Sequence, residues 1–172
     1  MNLKSTKIGI IGLGYVGLPL AIEFSKKFSV VGFDINKNRI AELKKGFDFT
    51  NEVEELNIKK AKNISFSSEI KSLKNCNFYV ITVPTPIKKN KEPDLGPLIK
   101  ATKLVAPLIE KGNIVVYEST VYPGATEEDC IPILEKMSNL LLNQDFSVGY
   151  SPERINPGDK THRLPNIMKI TS

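Results

Sequence analysis

Residues 10–21 read IIGLGYVGLPLA, three glycines and a proline inside the most apolar run of the chain. A run this apolar otherwise makes a core helix or a secretion signal, and neither has a use for glycine at positions 12, 14 and 17. Upstream, KIGIIG at 7–12 is a short continuous apolar stretch closed by glycine, the pattern of a strand buried on both faces. Downstream, Val16, Leu20, Ala21 and Phe24 recur at helical spacing before a polar end, and SVVGFD at 29–34 is a second apolar run ending in an acid. The order is therefore strand, glycine turn, helix, strand, acid.

Gly12, Gly14 and Gly17 stand as G-x-G-x-x-G between that strand and that helix. The first permits a tight turn off the strand, the second lets backbone approach a pyrophosphate, and the third lets the helix lie close on the sheet. An anion bound there meets N–H groups and the positive end of the helix. Glycines could also serve turns and packing alone. Asp34 favours the ligand, because about 20 residues after the fingerprint a dinucleotide fold places the acid that accepts from the adenine ribose hydroxyls. An acid there repels a 2′-phosphate, so NAD is expected rather than NADP, although Lys37 and Arg39 lie nearby. Asp34 could also cap the following helix, and one carboxylate can do both. Pro19 falls in the first helical turn, where few N–H groups have intrahelical partners and proline costs little.

The same alternation continues. Ile35, Ile40 and Leu43 predict a helix stopped by Gly46, and a short helix precedes a strand at 63–68. NFYVITVP at 77–84 is a β-branched and aromatic strand ending at Pro84. LGPLIKATKLVAPLIEKG at 95–112 predicts a helix with Pro97 in its first turn and a kink or end at Pro107. NIVVYEST at 113–120 is a strand, 123–141 a helix with Glu127, Glu128 and Asp129 near its positive end, and FSVGYSPE at 146–153 a further strand. PNIMKITS at 165–172 runs into what reads as another. Apolar strands alternating with amphipathic helices predict a single doubly wound α/β domain, a mostly parallel sheet covered on both faces.

The bulk numbers agree. A chain of 172 residues with 41% hydrophobic content suits one domain with its own core. The net charge is +5, but Arg39, Arg154 and Arg163 are the only arginines, and without an arginine cluster interleaved with aromatics no nucleic-acid partner is expected. Cys76 and Cys130 form no CxxC, and His162 is the single histidine, so no metal site is expected and both thiols read as buried and free. That usage fits a reducing cytoplasm. The basic start MNLKSTK and the apolar run imitate a signal peptide but lack a small-residue cleavage site, and no segment reads as a membrane span.

The chain resembles the UDP-glucose/GDP-mannose dehydrogenase family along nearly its whole length. GLGYVGLPLA matches the family's fingerprint, VPTP at 83–86 the loop after its fourth strand, EST at 118–120 the end of its fifth, and YSPERINPGD at 150–159 its substrate loop. The ERINPGD form, followed by KTHRLPNIMKITS, resembles the branch acting on UDP-N-acetylhexosamines. The resemblance implies a cytoplasmic enzyme of surface-polysaccharide synthesis that oxidises a sugar C6 hydroxyl to a carboxylate in two NAD-dependent steps, through an aldehyde and a cysteine-bound thioester. It implies cofactor contacts from Gly12, Gly14, Tyr15, Val16, Gly17, Asp34, Arg39, Val83, Pro84, Thr85, Ser119 and Thr120. Arg39 would approach the adenosine end. Thr120 would lie by the nicotinamide or hold a catalytic water, and Glu153 would work with that water as base or orienter. Arg154, Ile155 and Asn156, with Glu153, would face the sugar nucleotide; Pro157 departs from the acid carried there by the UDP-glucose branch. The family's nucleophilic cysteine belongs to a central helix and a second α/β domain expected beyond residue 172, where its dimer is also largely built. Residues 1–172 are thus expected to bind NAD without turnover. A free-standing NAD-sensing module is the alternative, and the YSPERINPGD loop argues against it; hydroxyacid or acyl-CoA dehydrogenases share the fingerprint but not VPTP with SPE.

Overall fold

The computed structural model describes residues 3–152 and 171–172. Six parallel strands form one sheet: β1 (Lys7–Ile11), β2 (Ser29–Phe33), β3 (Ile64–Ser67), β4 (Phe78–Ile81), β5 (Ile114–Tyr117) and β6 (Ser147–Tyr150). Their spatial order is β3-β2-β1-β4-β5-β6, so the chain winds outward from β1 in one direction and then in the other. The reversal falls between β1 and β4, where Ile8 pairs with Phe78 and Ile11 with Ile81. Open α/β sheets bind ligands beyond the carboxyl ends of their strands at such a reversal.

Side chains alternate between two cores because successive strand residues face opposite sides. Ile8, Ile10 and Val80 pack on one face with α1 (Gly17–Ser25), α2 (Lys37–Lys44) and α3 (Glu55–Lys60). Ile11, Tyr79, Ile81, Val115 and Tyr117 pack on the other with α4 (Gly96–Val105) and α5 (Ile131–Ser138). Two buried hydroxyls find partners there, as a phenol under a helix must. Tyr79 Oη donates to the Cys76 carbonyl at 2.8 Å, and Tyr117 Oη pairs with Thr102 Oγ1 at 3.0 Å.

The doubly wound prediction holds, with local corrections. Ile35 was expected on the buried face of α2, yet it precedes the Asn36 cap and is 80% exposed. The strand expected to reach Pro84 ends at Ile81; Thr82 still donates its N–H to Ile11 O but turns its hydroxyl to the Gly12 carbonyl. Pro107 ends α4, which tightens into a 3₁₀ turn over Ala106–Leu108. The helix expected across 123–141 opens as a π-helical turn, Thr126–Cys130, before α5. Pro132 gives the reason: its missing N–H and its ring oppose an α-type bond to the carbonyl four residues back, and the preceding turn widens. The strand expected at 165–172 lies outside the described residues except at its end, where Ser172 and Tyr150 exchange two backbone hydrogen bonds of 3.0 Å.

Candidate functional site

Gly12 leaves β1 with φ +98°, a conformation that side chains other than glycine's rarely accept. Its N–H donates to Phe33 O at 2.9 Å, and its carbonyl accepts from Thr82 Oγ1 at 2.7 Å. The turn is thereby tied to both neighbouring strands. A Cβ at Gly17 would overlap the Gly12 carbonyl oxygen and the Thr82 hydroxyl, so this glycine sets how closely α1 approaches the sheet. Gly14 differs: a Cβ there would meet nothing within 4 Å. Gly12 therefore serves the turn and Gly17 the close packing of α1, while Gly14 faces open space.

A cleft of about 370 Å³ opens above these residues. Gly12, Gly14, Tyr15 and Val16 form one wall, Asp34 lies at the β2 end, and Val83, Pro84, Thr85, Ser119 and Thr120 form the facing wall. Hydrogen bonds stitch the facing wall together. Ser119 Oγ donates to Val83 O at 2.8 Å and Thr85 Oγ1 to Thr120 O at 2.5 Å, so the segments after β4 and β5 are joined in one lip.

Asp34 Oδ2 accepts from the Leu13 N–H at 2.9 Å, and Oδ1 accepts from the Asn36 N–H at 2.9 Å. The N-cap of α2 is Asn36, whose Oδ1 accepts from the N–H groups of Asn38 and Arg39; the capping alternative for Asp34 falls two residues further on. Both Asp34 oxygens retain accepting capacity after these bonds.

Two residues expected at the cofactor lie beneath the cleft instead of on its walls. Gly17 is buried in the helix packing. Arg39 is 2% exposed: Nε donates to Leu13 O at 2.8 Å, Nη2 to Asp48 Oδ1 at 2.7 Å, and the Phe49 ring lies 4.5 Å from the guanidinium carbon. Burial alone would raise the Asp48 carboxyl pKa. Hydrogen bonds from the Thr50 hydroxyl, the Val53 N–H, Arg39 and the Thr50 N–H outweigh it and hold the group below its ordinary value.

Glu153, Arg154, Ile155 and Asn156 lie outside the described residues. Leu13, Thr82, Pro86 and Glu118 also line the cleft and were not anticipated. Glu118 stood within the quoted EST motif, while Leu13 stood between two fingerprint glycines; proximity in the motif was the available signal. Burial pushes the Cys76 thiol up to about 11 and raises that of Cys130 as well, so neither resembles an activated nucleophile. No group of three or more potential metal ligands occurs among the described residues.

A family model described as the UDP-glucose/GDP-mannose dehydrogenase family, NAD binding domain, matches residues 6–171. The chain belongs to this family. It is 63% identical over 171 residues to a UDP-N-acetyl-D-glucosamine 6-dehydrogenase of Salmonella typhi, covering 99% of this chain and 40% of that protein. A protein of the same name from Pseudomonas aeruginosa is 58% identical over 170 residues, with 99% and 40% covered. Among solved structures, a UDP-D-ManNAc dehydrogenase from Pyrococcus horikoshii superposes with a TM-score of 0.84 at 34% identity, covering 89% of this chain and 37% of that one. The chain thus spans about 40% of the length of the curated relatives it matches.

This NAD-binding domain has the features its cofactor requires. The open space at Gly14 is a cradle that a side chain would fill. Asp34 can still accept hydrogen bonds at the cleft's end. No helix among the described residues is long and apolar enough to cross a membrane.

Proposed function

We propose that the intact protein is a nucleotide-sugar 6-dehydrogenase, oxidising the C6 hydroxyl of a UDP-N-acetylhexosamine to the uronate in two NAD-dependent steps for surface-polysaccharide synthesis. The observation carrying this reading is that the glycine loop, Asp34 and both post-strand segments line one cleft at the carboxyl edge of the sheet. The identity to proteins named for UDP-N-acetyl-D-glucosamine makes that sugar nucleotide the first substrate to offer.

NAD, when bound, supplies the hydride acceptor. Gly12, Gly14, Tyr15 and Val16 would hold its pyrophosphate, Asp34 its adenine ribose, and Val83, Pro84, Thr85, Ser119 and Thr120 its nicotinamide half. Two hydrogen bonds join the segments of that second wall to each other and the Thr82 hydroxyl ties it to Gly12, which matters because a reacting carbon must be held at near-attack distance. Thr120, exposed at the lip, can orient a water, and Glu153 would move the proton of that water during hydrolysis of the thioester. Glu153, Arg154, Ile155 and Asn156 would meet the sugar nucleotide. The buried, unactivated state of both cysteines supports placing the nucleophile outside residues 1–172, on a central helix or second domain of the intact protein. Two free buried thiols also fit a reducing cytoplasm, and the family resemblance supports a homodimer.

The test is calorimetry with NAD and NADP on the 172-residue chain, together with NADH production by the chain and by the intact enzyme on UDP-N-acetyl-D-glucosamine. NAD binding without turnover by the chain, and turnover by the intact enzyme, are expected. Robust NADH production by the chain alone would overturn the division of roles.

A further inference from the structure

Leu13, between the first two fingerprint glycines, has its peptide groups gripped from two sides. Its N–H donates to Asp34 Oδ2 at 2.9 Å and its carbonyl accepts from Arg39 Nε at 2.8 Å. Arg39 is in turn fixed by Asp48, with Nη2 to Oδ1 at 2.7 Å and side chains 2% and 1% exposed. Asp48 does more than neutralise the guanidinium. Its Oδ1 also accepts from the Thr50 hydroxyl at 2.7 Å and the Thr50 N–H at 3.0 Å, and its Oδ2 from the N–H groups of Glu52 and Val53, each at 3.0 Å. Five donors thus converge on one carboxylate, which makes it an anchor with little freedom to turn.

A buried ion pair of this kind contributes little to stability compared with apolar side chains of the same volume. Its value lies in geometry. A guanidinium is a rigid fork, able to hold a carbonyl on one edge while a carboxylate holds the other. The carbonyl held here belongs to the Leu13–Gly14 peptide, which is planar and trans. In such a peptide the carbonyl and the following N–H point in opposite directions. Drawing Leu13 O down onto Arg39 therefore turns the Gly14 N–H away from Arg39, and Gly14 is a cleft-lining residue with open space before it.

We propose that Asp48, acting through Arg39, is a positioning residue for the cofactor: the pair aims the Gly14 N–H at the pyrophosphate. The inference rests on the reading of the cleft as the NAD site. It assigns to Arg39 a role beneath the loop, different from direct contact with the adenosine end.

The two roles separate on ligands that differ only in the pyrophosphate. NAD, ADP and adenosine are titrated onto the 172-residue chain, wild type and Asp48→Asn, Arg39→Lys and the double variant, with unfolding midpoints recorded without ligand. Asp48→Asn and Arg39→Lys should each weaken NAD and ADP by about tenfold, the scale of one lost charge-assisted hydrogen bond, and leave adenosine unchanged. The double variant should lose no more than either alone, since both act along one path. A purely structural role would lower the midpoint without changing the ratio of ADP to adenosine affinity. An unchanged ratio in the folded variants, or an equal loss for adenosine, overturns the inference while leaving the cleft reading intact. If Asp48→Asn fails to fold, Arg39→Lys and Asp48→Glu make the same comparison, and loss of fold in all three also overturns it, because the pair would then serve stability. A wild-type chain that binds neither NAD nor ADP refutes the cleft reading and the inference together.

Discussion

Gly14 and Gly17 lie three residues apart, yet the structure gives their substitution opposite consequences. A methyl at Gly17 would meet the Gly12 carbonyl and the Thr82 hydroxyl. Both are fixed, one by the bond from the Gly12 N–H to Phe33 O and the other by its own 2.7 Å bond to that carbonyl. Crowding a packed site costs about 1–3 kcal/mol, and disturbing the Thr82 bond adds about 1 kcal/mol. The better helix propensity of alanine returns roughly 0.5–1 kcal/mol. Gly17→Ala should therefore destabilise by about 1–3.5 kcal/mol, and at roughly 2–4 °C per kcal/mol for a domain of this size its Tm should fall by about 2–14 °C. Gly14→Val, with nothing within 4 Å of its Cβ, should stay within about 0.5 kcal/mol of wild type, as ordinary surface changes do. It should nevertheless abolish NAD binding, because its side chain occupies the pyrophosphate cradle. Thermal unfolding by circular dichroism and calorimetry with NAD measure the two effects separately. A Gly17→Ala chain melting with the wild type, or a Gly14→Val chain that unfolds or still binds NAD, would refute the assignment of duties to these glycines.

Asp34→Ala should narrow the NAD-over-NADP preference by about 1–3 kcal/mol, the range for a lost buried polar partner; equal binding of both cofactors by the wild type in calorimetry would sink the ribose role. Asp48 has a depressed carboxyl pKa when folded, so its contribution is complete above the unfolded value, about 4, and is lost as pH falls through the lower folded value. The wild-type Tm should accordingly drop more steeply than that of Asp48→Asn on acidification below about pH 4, and parallel Tm-versus-pH curves would contradict the pair's strength. Cys76 and Cys130, buried and with raised thiol pKa values, should resist iodoacetamide at pH 8 until the chain is denatured, which mass spectrometry would show; fast alkylation of the folded chain would contradict their burial. In the intact enzyme, Glu153→Gln should slow hydrolysis of the thioester more than its formation, so that acyl-enzyme accumulates in quenched samples. Unchanged turnover would remove Glu153 from the mechanism.

Local periodicity and glycine chemistry explain why so much of the sheet was legible. Runs such as KIGIIG and NIVVYEST are short, apolar and bounded, so their strand character needs no knowledge of neighbours. Gly12 declared its turn in the same way. Ile35 misled because apolar spacing says nothing about where a helix begins, and Asn36, a strong cap, starts α2 one residue after it. The π-helical turn at Thr126–Cys130 depends on how Pro132 is accommodated, which spacing alone does not specify. Asp48 was wholly silent in the sequence. Its importance comes from contact with a side chain nine residues earlier, which in turn reaches a carbonyl 26 residues before that, and no local pattern records such a chain.

The sheet order also dictates when the site can come into being during synthesis. Gly12 is made early, but the hydroxyl that holds its carbonyl belongs to Thr82, 70 residues later, and the bond from Thr85 to Thr120 spans another 35. A nascent chain ending near residue 70 contains the glycine loop and Asp34 yet has only one neighbour for β1, since β4 has not been made. Its turn would be tied to Phe33 alone. The cofactor can therefore act as a folding ligand only after β5 has emerged, and until β4 is made the backbone edge of β1 that later pairs with it is open to wrong partners. Parallel pairings at such separation are slow to form. In the cell, the vulnerable interval for this domain is the translation of its middle third, and added NAD should protect ribosome-stalled chains from proteolysis only when the stall leaves residue 120 outside the exit tunnel.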